Sequence, residues 1–339
     1  MWVQANSLCQ NDAFITNTDY IRTVAFKPAY LEAYASGALK EKVTDALNAL
    51  RDCRLCPRDC AVDRLENQYA TCLSGRYATV ASSFPHFGEE DCIRGYQGSG
   101  TIFFGHCNLK CVFCQNFEIS QRSSVRDPGL PPEALAGRML ELQERGCHNI
   151  NFVTPEHVVP QILEALLIAI PQGLTLPLVY NTSGYDSIKS LELMNGVIDI
   201  YMPDFKVWNS ERAGRWLKAA DYRDAACHSV KEMVRQVGHL KLGSDGLARR
   251  GVLVRHMVMP DGLEDTRQIM RFLAAEFGSD IYVHLMNQYE PAGKVEGHKY
   301  PELQTRVTRH EMAEARRIAQ EEGITRLDRR RPHPRLMLS

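Results

Sequence analysis

The stretch Gly105-His106-Cys107-Asn108-Leu109-Lys110-Cys111-Val112-Phe113-Cys114-Gln115-Asn116 decides how the rest of the chain is read. It follows directly on Thr101 to Gly105, a β-branched and aromatic run whose composition predicts a strand. Three thiols with C-x3-C-x2-C spacing can hold three corners of one iron–sulfur cube. Four cysteines would saturate the irons of such a cube, whereas three leave one iron open to an exogenous ligand. The alternative is a structural zinc completed by His106, since zinc commonly takes three cysteines and a histidine. Adjacent residues of an extended chain point to opposite sides, however, so His106 and Cys107 chelate one ion poorly. The cluster is the preferred reading.

Downstream of this segment, short apolar runs alternate with amphipathic stretches of helix length. Strands are predicted at Thr101 to Gly105, Asn149 to Thr154, Pro177 to Asn181, Val197 to Met202, Gly251 to Met259 and Ile281 to Met286. Helices are predicted at Pro132 to Arg145, Val158 to Ile170, Asp186 to Asn195, Asp221 to Val237, Asp265 to Phe277 and Arg309 to Glu322. In the first of these, Leu135, Met139 and Leu142 recur at spacings that bury one face. Six β-then-α units in series predict an α/β fold with a parallel sheet. The cysteines, Glu156, Asn181, Asp204, Arg255 and Gln288 fall at or just after the C-terminal ends of different strands, where barrel enzymes gather their catalytic groups. A partial barrel is therefore preferred to an open doubly wound sheet.

The chain has 339 residues, 44% of them hydrophobic, enough for one large domain with an appendage. Lysines and arginines number 40 against 41 acids, so a net charge of -1 offers no global attraction to nucleic acid or to an anionic membrane. The first twenty residues hold Asp12 and Asp19, no Lys or Arg and no long apolar run, which predicts a cytoplasmic protein without signal peptide or membrane span. There the eleven cysteines would stay reduced, and close groups of them would serve metal or redox chemistry.

Residues 1 to about 50 look mainly helical, notably Ala35 to Leu50, and their expected role is packing. Residues 51 to about 95 look loop-rich and metal-held. Cys53, Cys56, Cys60 and Cys72 supply four thiols, enough for one tetrahedral zinc or one cube. An iron–sulfur cluster there could relay electrons or anchor substrate, and a zinc could fold the module; a structural metal of either kind is the expectation. Cys92 is a spare thiol or an alternative ligand.

The cysteine triad with Phe113 just before its third member resembles the signature of the radical S-adenosylmethionine (SAM) superfamily, and within it the pyruvate formate-lyase activating enzymes and their relatives. The resemblance covers residues about 98 to 323, and a closer group of activating-enzyme-like proteins extends over the N-terminal cysteines. It implies a partial (β/α)6 radical SAM barrel over 98–323, a helical and cysteine-rich N-terminal module over 1–97 and a C-terminal tail over 324–339. It also implies a 4Fe-4S cluster on Cys107, Cys111 and Cys114 with SAM as cofactor.

Other positions match the family motif by motif. Its second strand ends in Gly-Gly-Glu, which binds the amino group of SAM; here Thr154-Pro155-Glu156 matches only the glutamate. Asp204-Phe205-Lys206 resembles an Asp-x-Lys that contacts the ribose and methionyl region, and Arg255 resembles an arginine that closes the fifth strand and offers a planar fork to the SAM carboxylate. A cation-binding pattern would fall on Asn181, Thr182, Met202 and Asp204, with Asn181 where the family favours aspartate. His157, His256 and His284 are read as satisfied core residues before ligand contacts.

The expected reaction is reductive cleavage of SAM to a 5'-deoxyadenosyl radical that abstracts hydrogen. The resemblance suggests a glycine of a glycyl radical enzyme as target and an electron donor such as flavodoxin or ferredoxin. Modification of another peptide, protein or small molecule is the second reading. Ser210 to Arg215 and Gln288 to Pro291 are substrate-loop candidates, though solvated surface is the commoner reason for such text. A non-catalytic metal or redox sensor would not need Glu156, Asp204 and Arg255 around the triad.

Overall fold

The computed structural model describes residues 26–122, 128–295 and 299–331. Residues 1–25, including Asp12 and Asp19, and the half of the 324–339 tail from 332 onward lie outside them.

The chain opens with helices α1 (Ala29–Ala35) and α2 (Ala38–Asn48). Strand β1 (Val80–His86) and the short helix α3 (Asp91–Arg94) follow a stretch with little regular structure. Then come β2 (Ser99–Phe104), α4 (Phe117–Gln121), α5 (Pro132–Glu144), β3 (Ile150–Val153), α6 (Val159–Ala169), β4 (Leu178–Thr182), α7 (Ile188–Met194) and β5 (Ile200–Pro203). The second half runs α8 (Ser210–Trp216), α9 (Tyr222–Val237), β6 (Lys241–Leu242), β7 (Ala248–Met257), α10 (Leu263–Phe277), β8 (Tyr282–Met286), α11 (Arg309–Glu321) and β9 (Arg326–Leu327).

The sheet order is β1-β2-β3-β4-β5-β7-β8-β9, with β6 paired to β7. All neighbours from β2 to β9 are parallel; β1 on β2 and β6 on β7 are antiparallel. The chain is thus an α/β protein with a mostly parallel sheet. Its six central strands and the helices α5, α6, α7, α9, α10 and α11 coincide with the twelve elements predicted from periodicity. They were legible because a parallel strand buried on both faces is mostly apolar, as in the fully buried β5 and the Leu178-Val179-Tyr180 start of β4. In α5, Leu135, Met139 and Leu142 are buried as their spacing requires, and Pro132 starts the helix where its missing N–H costs nothing. Thr308 and Glu311 cap α11 reciprocally.

Helix α6 is apolar on nearly every side, which one sheet face cannot explain. Its outer face lies under α2, so the N-terminal helices pack, as expected. They are fastened by the Tyr30 hydroxyl donating to the Leu176 carbonyl at 2.9 Å and by Ala29 N donating to Asp199 Oδ1 at 2.9 Å.

The N-terminal module departs from a purely loop-rich expectation, because it contributes β1 to the sheet and contains α3. Strand β1 is an edge with no alternation of buried and exposed positions and with Pro85 inside it, so its sequence carries little strand signal. The tail likewise contributes β9, too short for any periodicity. Among the described residues no helix is long and apolar enough to cross a membrane.

Candidate active site

Every central strand delivers a polar side chain at its C-terminal end. After β2 the backbone turns at His106, whose φ of 67° is left-handed, and runs into the cysteine loop. The loop is held on three sides. Its Lys110 and Val112 amides donate to the Leu217 and Trp216 carbonyls at 3.2 and 2.8 Å, and the Gln121 amide donates to the Cys111 carbonyl at 2.9 Å. Opposite, Lys294 N donates to Val112 O at 2.7 Å. Gly293 beside it has φ 66°, and a Cβ there would stand 2.9 Å from Val112 O and 3.2 Å from Cys114 O. A side chain at 293 would push the loop away.

Cys107, Cys111 and Cys114 line one cleft of about 260 Å³ together with Phe113, Asn181, Asp204, Lys206 and Arg255. The parallel ladder explains the company. A bridge between Asp204 and Arg255 continues the β5–β7 pairing one step beyond the strand end. There Arg255 donates from Nε to Asp204 Oδ1 at 2.7 Å and from Nη2 to Asn181 Oδ1 at 2.6 Å, while Lys206 Nζ donates to Asp204 Oδ2 at 2.5 Å. Burial would raise the Asp204 carboxyl, but Arg255 and Lys206 outweigh it and hold the group below its usual range. Gly184, with φ 77°, lets the turn after β4 pass this strand end, since a Cβ would meet Asp204 O at 2.3 Å.

Glu156 is placed differently. It sits in the turn after β3, fully buried, and lines a second, smaller cavity behind the cysteine loop rather than the cleft itself. Thr154 before it takes a left-handed φ of 61° to turn the chain inward. The Ser183 hydroxyl and amide donate to Glu156 Oε1, while buried Oε2 has no donor. Burial, then repulsion from Asp186, pushes its pKa up to about 8, and its charge, after burial, helps raise the Cys107 thiol. The same cavity is lined by Cys53, Cys56, Cys60 and Cys72. Cys92 does not line it: it is buried on α3 among Val179, Ile200 and Leu253. All ten cysteines of the described residues are free, and among those residues no three His, Cys, Asp or Glu side chains converge as a ready single-ion site.

None of the three histidines lines the cleft, and each has a partner in the core, though the buried Nδ1 of His157 has none. His157 bonds Gly105 O at 3.0 Å, His256 lies between Phe205 O and Thr266 Oγ1, and His284 Nδ1 meets Glu90 Oε1 at 2.6 Å. Ser210 to Arg215 forms helix α8 instead of a loop and borders an outer groove of about 690 Å³ that no strand end reaches. Gln288 does line the cleft, and its carbonyl accepts from the Gln115 side chain at 2.6 Å.

Sequence reasoning missed the acidic pair at the base of the site. Glu89 faces Arg255 Nη1 at 3.5 Å and accepts from Asn151 Nδ2 at 3.2 Å. Burial and then Glu90 push Glu89 up to about 7. No motif marks these acids; only the β1–β2 pairing brings them under Arg255. Met257 and Met286, also in the cleft lining, were hidden for the same reason.

The chain is 30% identical over 301 residues to the uncharacterized protein MJ0674 of Methanocaldococcus jannaschii, covering 87% of this chain and 82% of that one. Among solved structures, SuiB of Streptococcus suis aligns with a TM-score of 0.43 at 13% identity, over 68% of this chain and 48% of SuiB. Methylornithine synthase (PylB) aligns with a TM-score of 0.44 at 14% identity, over 66% of this chain and 62% of PylB. The chain therefore spans only about half to three-fifths of those two proteins. The family model of the Radical SAM superfamily matches residues 101–273, the stretch that carries the cleft from the cysteine loop to Arg255, and the chain is a member of that superfamily.

Proposed function

We propose that Cys107, Cys111 and Cys114 hold the 4Fe-4S cluster of a SAM-cleaving enzyme and that the cleft beside them seats SAM. The observation that carries this is the lining: three thiols from one loop share a cleft with Asn181, Asp204, Lys206 and Arg255, drawn from three separate strand ends. The residues fit the group. Lys206 and Arg255 can offer donors to a carboxylate, and Asp204 and Asn181 can accept from hydroxyls; Glu156, the candidate for the SAM amino group, lines the cavity behind the cysteine loop instead. When bound, the cluster supplies one electron and an open iron for reductive cleavage of SAM, the source of the hydrogen-abstracting 5'-deoxyadenosyl radical.

The chain's own tasks are to orient and to enclose. Asp204, held ionised between two cations, fixes the Arg255 fork and the Lys206 ammonium. Phe113, Met257 and Met286 supply apolar wall, and Gln288 lines the same cleft. This reading takes the sheet as a partial (β/α)6 barrel over 98–323, with residues 1–97 as a module that lends it β1 and residues 324–339 as a tail that lends it β9.

The motifs favour the activating-enzyme branch, with hydrogen taken from a protein or peptide, a glycine of a glycyl radical enzyme being the specific case. Another peptide, protein or small molecule is the alternative target. A flavodoxin or ferredoxin is the fitting reductant, and the unpaired thiols suit a cytoplasmic protein. The test is anaerobic reconstitution with iron and sulfide, then dithionite and SAM, following 5'-deoxyadenosine by chromatography. Product from wild type and none from Cys107→Ala, Cys111→Ala or Cys114→Ala is expected; no product from a fully loaded, reduced wild type would overturn the reading.

A further inference from the structure

Four cysteines take no part in this chemistry. Cys53, Cys56, Cys60 and Cys72 belong to a stretch with almost no regular structure, yet all four line one small cavity. The backbone is wound tightly to bring them there. Cys53 N donates to Val62 O and Ala61 N to Cys53 O, each at 3.0 Å, and Asp59 N donates to Cys56 O at 3.1 Å. Asp59 and Ala61, on either side of Cys60, and Leu73, next to Cys72, all have left-handed φ between 46° and 55°. Non-glycine residues adopt that conformation at a cost that the surroundings must offset.

A second observation points to what occupies the cavity. Arg64 reaches into it and is 1% exposed. Its Nε donates to Gly75 O at 3.2 Å, and its Nη1 to His157 O at 2.9 Å and to Cys53 Sγ at 3.7 Å. Nη2 is buried with no acceptor. Among the described residues no carboxylate pairs with this guanidinium. A guanidinium keeps its proton in proteins, so a buried one needs negative charge nearby. Arg58, on the same wall, donates from Nε to Asn108 O at 2.8 Å and also leaves a buried Nη2 without an acceptor. Four thiolates outweigh the charge of the metal they bind, so a tetrathiolate centre is anionic and supplies what both arginines lack.

The cavity also bears on the kind of centre. A zinc would draw four sulfurs to about 2.3 Å from one point. Among the described residues no three such side chains converge on one point as a single ion requires, whereas a cube spreads its four cysteine sulfurs over separate corners. We propose that Cys53, Cys56, Cys60 and Cys72 hold a second iron–sulfur cluster, saturated by protein thiolates and counterbalanced by Arg64 and Arg58.

Such a cluster braces the cysteine triad from behind. Arg58 holds the carbonyl of Asn108, whose side chain meets Cys56 and whose neighbour is Cys107. Arg64 holds His157 O, and the His157 ring bonds Gly105 O at the start of the triad loop. With every iron ligated by the chain, this cluster takes no SAM.

The experiment is metal and acid-labile sulfide analysis of protein purified and reconstituted without oxygen. It compares wild type, the triple variant Cys107→Ala/Cys111→Ala/Cys114→Ala and the quadruple variant Cys53→Ala/Cys56→Ala/Cys60→Ala/Cys72→Ala. About eight irons per chain are expected in wild type and about four in the triple variant, whose reduced electron paramagnetic resonance spectrum does not change when SAM is added. The triple variant decides, because it keeps the module intact even where the quadruple variant fails to fold. A triple variant folded by circular dichroism but free of iron overturns the proposal, as does one zinc per chain at these cysteines. Wild type with about four irons, all lost in the triple variant, would remove the second cluster and leave the radical SAM reading standing. Wild type with about four irons that the triple variant retains would leave the second cluster and remove the triad's instead.

Discussion

Arg255 serves Asp204, Asn181 and Glu89 at once, so its two natural substitutions should separate structure from recognition. Arg255→Met leaves Asp204 with Lys206 alone, and breaking a buried pair costs about 3–5 kcal/mol, visible as a lower urea midpoint. Arg255→Lys keeps the charge but loses the planar fork. It is expected to fold and to bind SAM on the order of tenfold more weakly, about 1.4 kcal/mol, by equilibrium dialysis. Glu156 predicts a pH dependence. Its folded pKa is raised from 4.5 to about 8, so stability is greatest where both states are protonated and falls as pH rises from about 4.5 to about 8. Asp186, the acid facing it, is raised as well and adds to the same trend. In metal-free protein, Glu156→Gln removes its share of the penalty. The Tm difference from wild type should therefore widen between pH 5 and pH 8; a constant difference would show that the carboxyl is not held protonated.

Elements transmit these residues' positions, and two contacts between elements are open to test. Helix α1 is tied to the sheet through Asp199, which accepts Ala29 N at 2.9 Å and Leu178 N at 3.0 Å. Asp199→Ala strands the buried Leu178 donor at about 1–3 kcal/mol and frees the half-buried Ala29 amide, and should make amides of α1 exchange faster with deuterium than in wild type while those of α5 do not change. The segment behind the cysteine loop is the second contact. Gly293→Ala adds a Cβ against Val112 O in a left-handed backbone, at roughly 1–2 kcal/mol before any clash. The expected result is a reconstituted iron content that falls while the far-ultraviolet circular dichroism stays as in wild type. Unchanged iron would show that the loop does not need this wall.

At the scale of the whole molecule, the apolar core includes Cys111 but extends through sheet and helices far beyond the triad, so fold and cofactor should fail separately. Exposure to air is expected to abolish 5'-deoxyadenosine formation while helix content persists, checked by circular dichroism on the same sample. The sequence by itself determined the βα rhythm, because each central strand is largely buried on both faces and the long helices other than α6 on one, and such burial writes period and composition directly into the text. It also determined the cysteine loop, whose ligands are neighbours in the chain, and the strand-end positions of Asn181, Asp204 and Arg255. Only the tertiary structure decided that Glu89 and Glu90 lie beneath Arg255, that Glu156 turns to the cavity behind the cysteine loop, and that Arg64 is buried beside four thiols. These are meetings between distant segments, made by an edge strand with no periodicity and by irregular backbone, and no local pattern of residues encodes them.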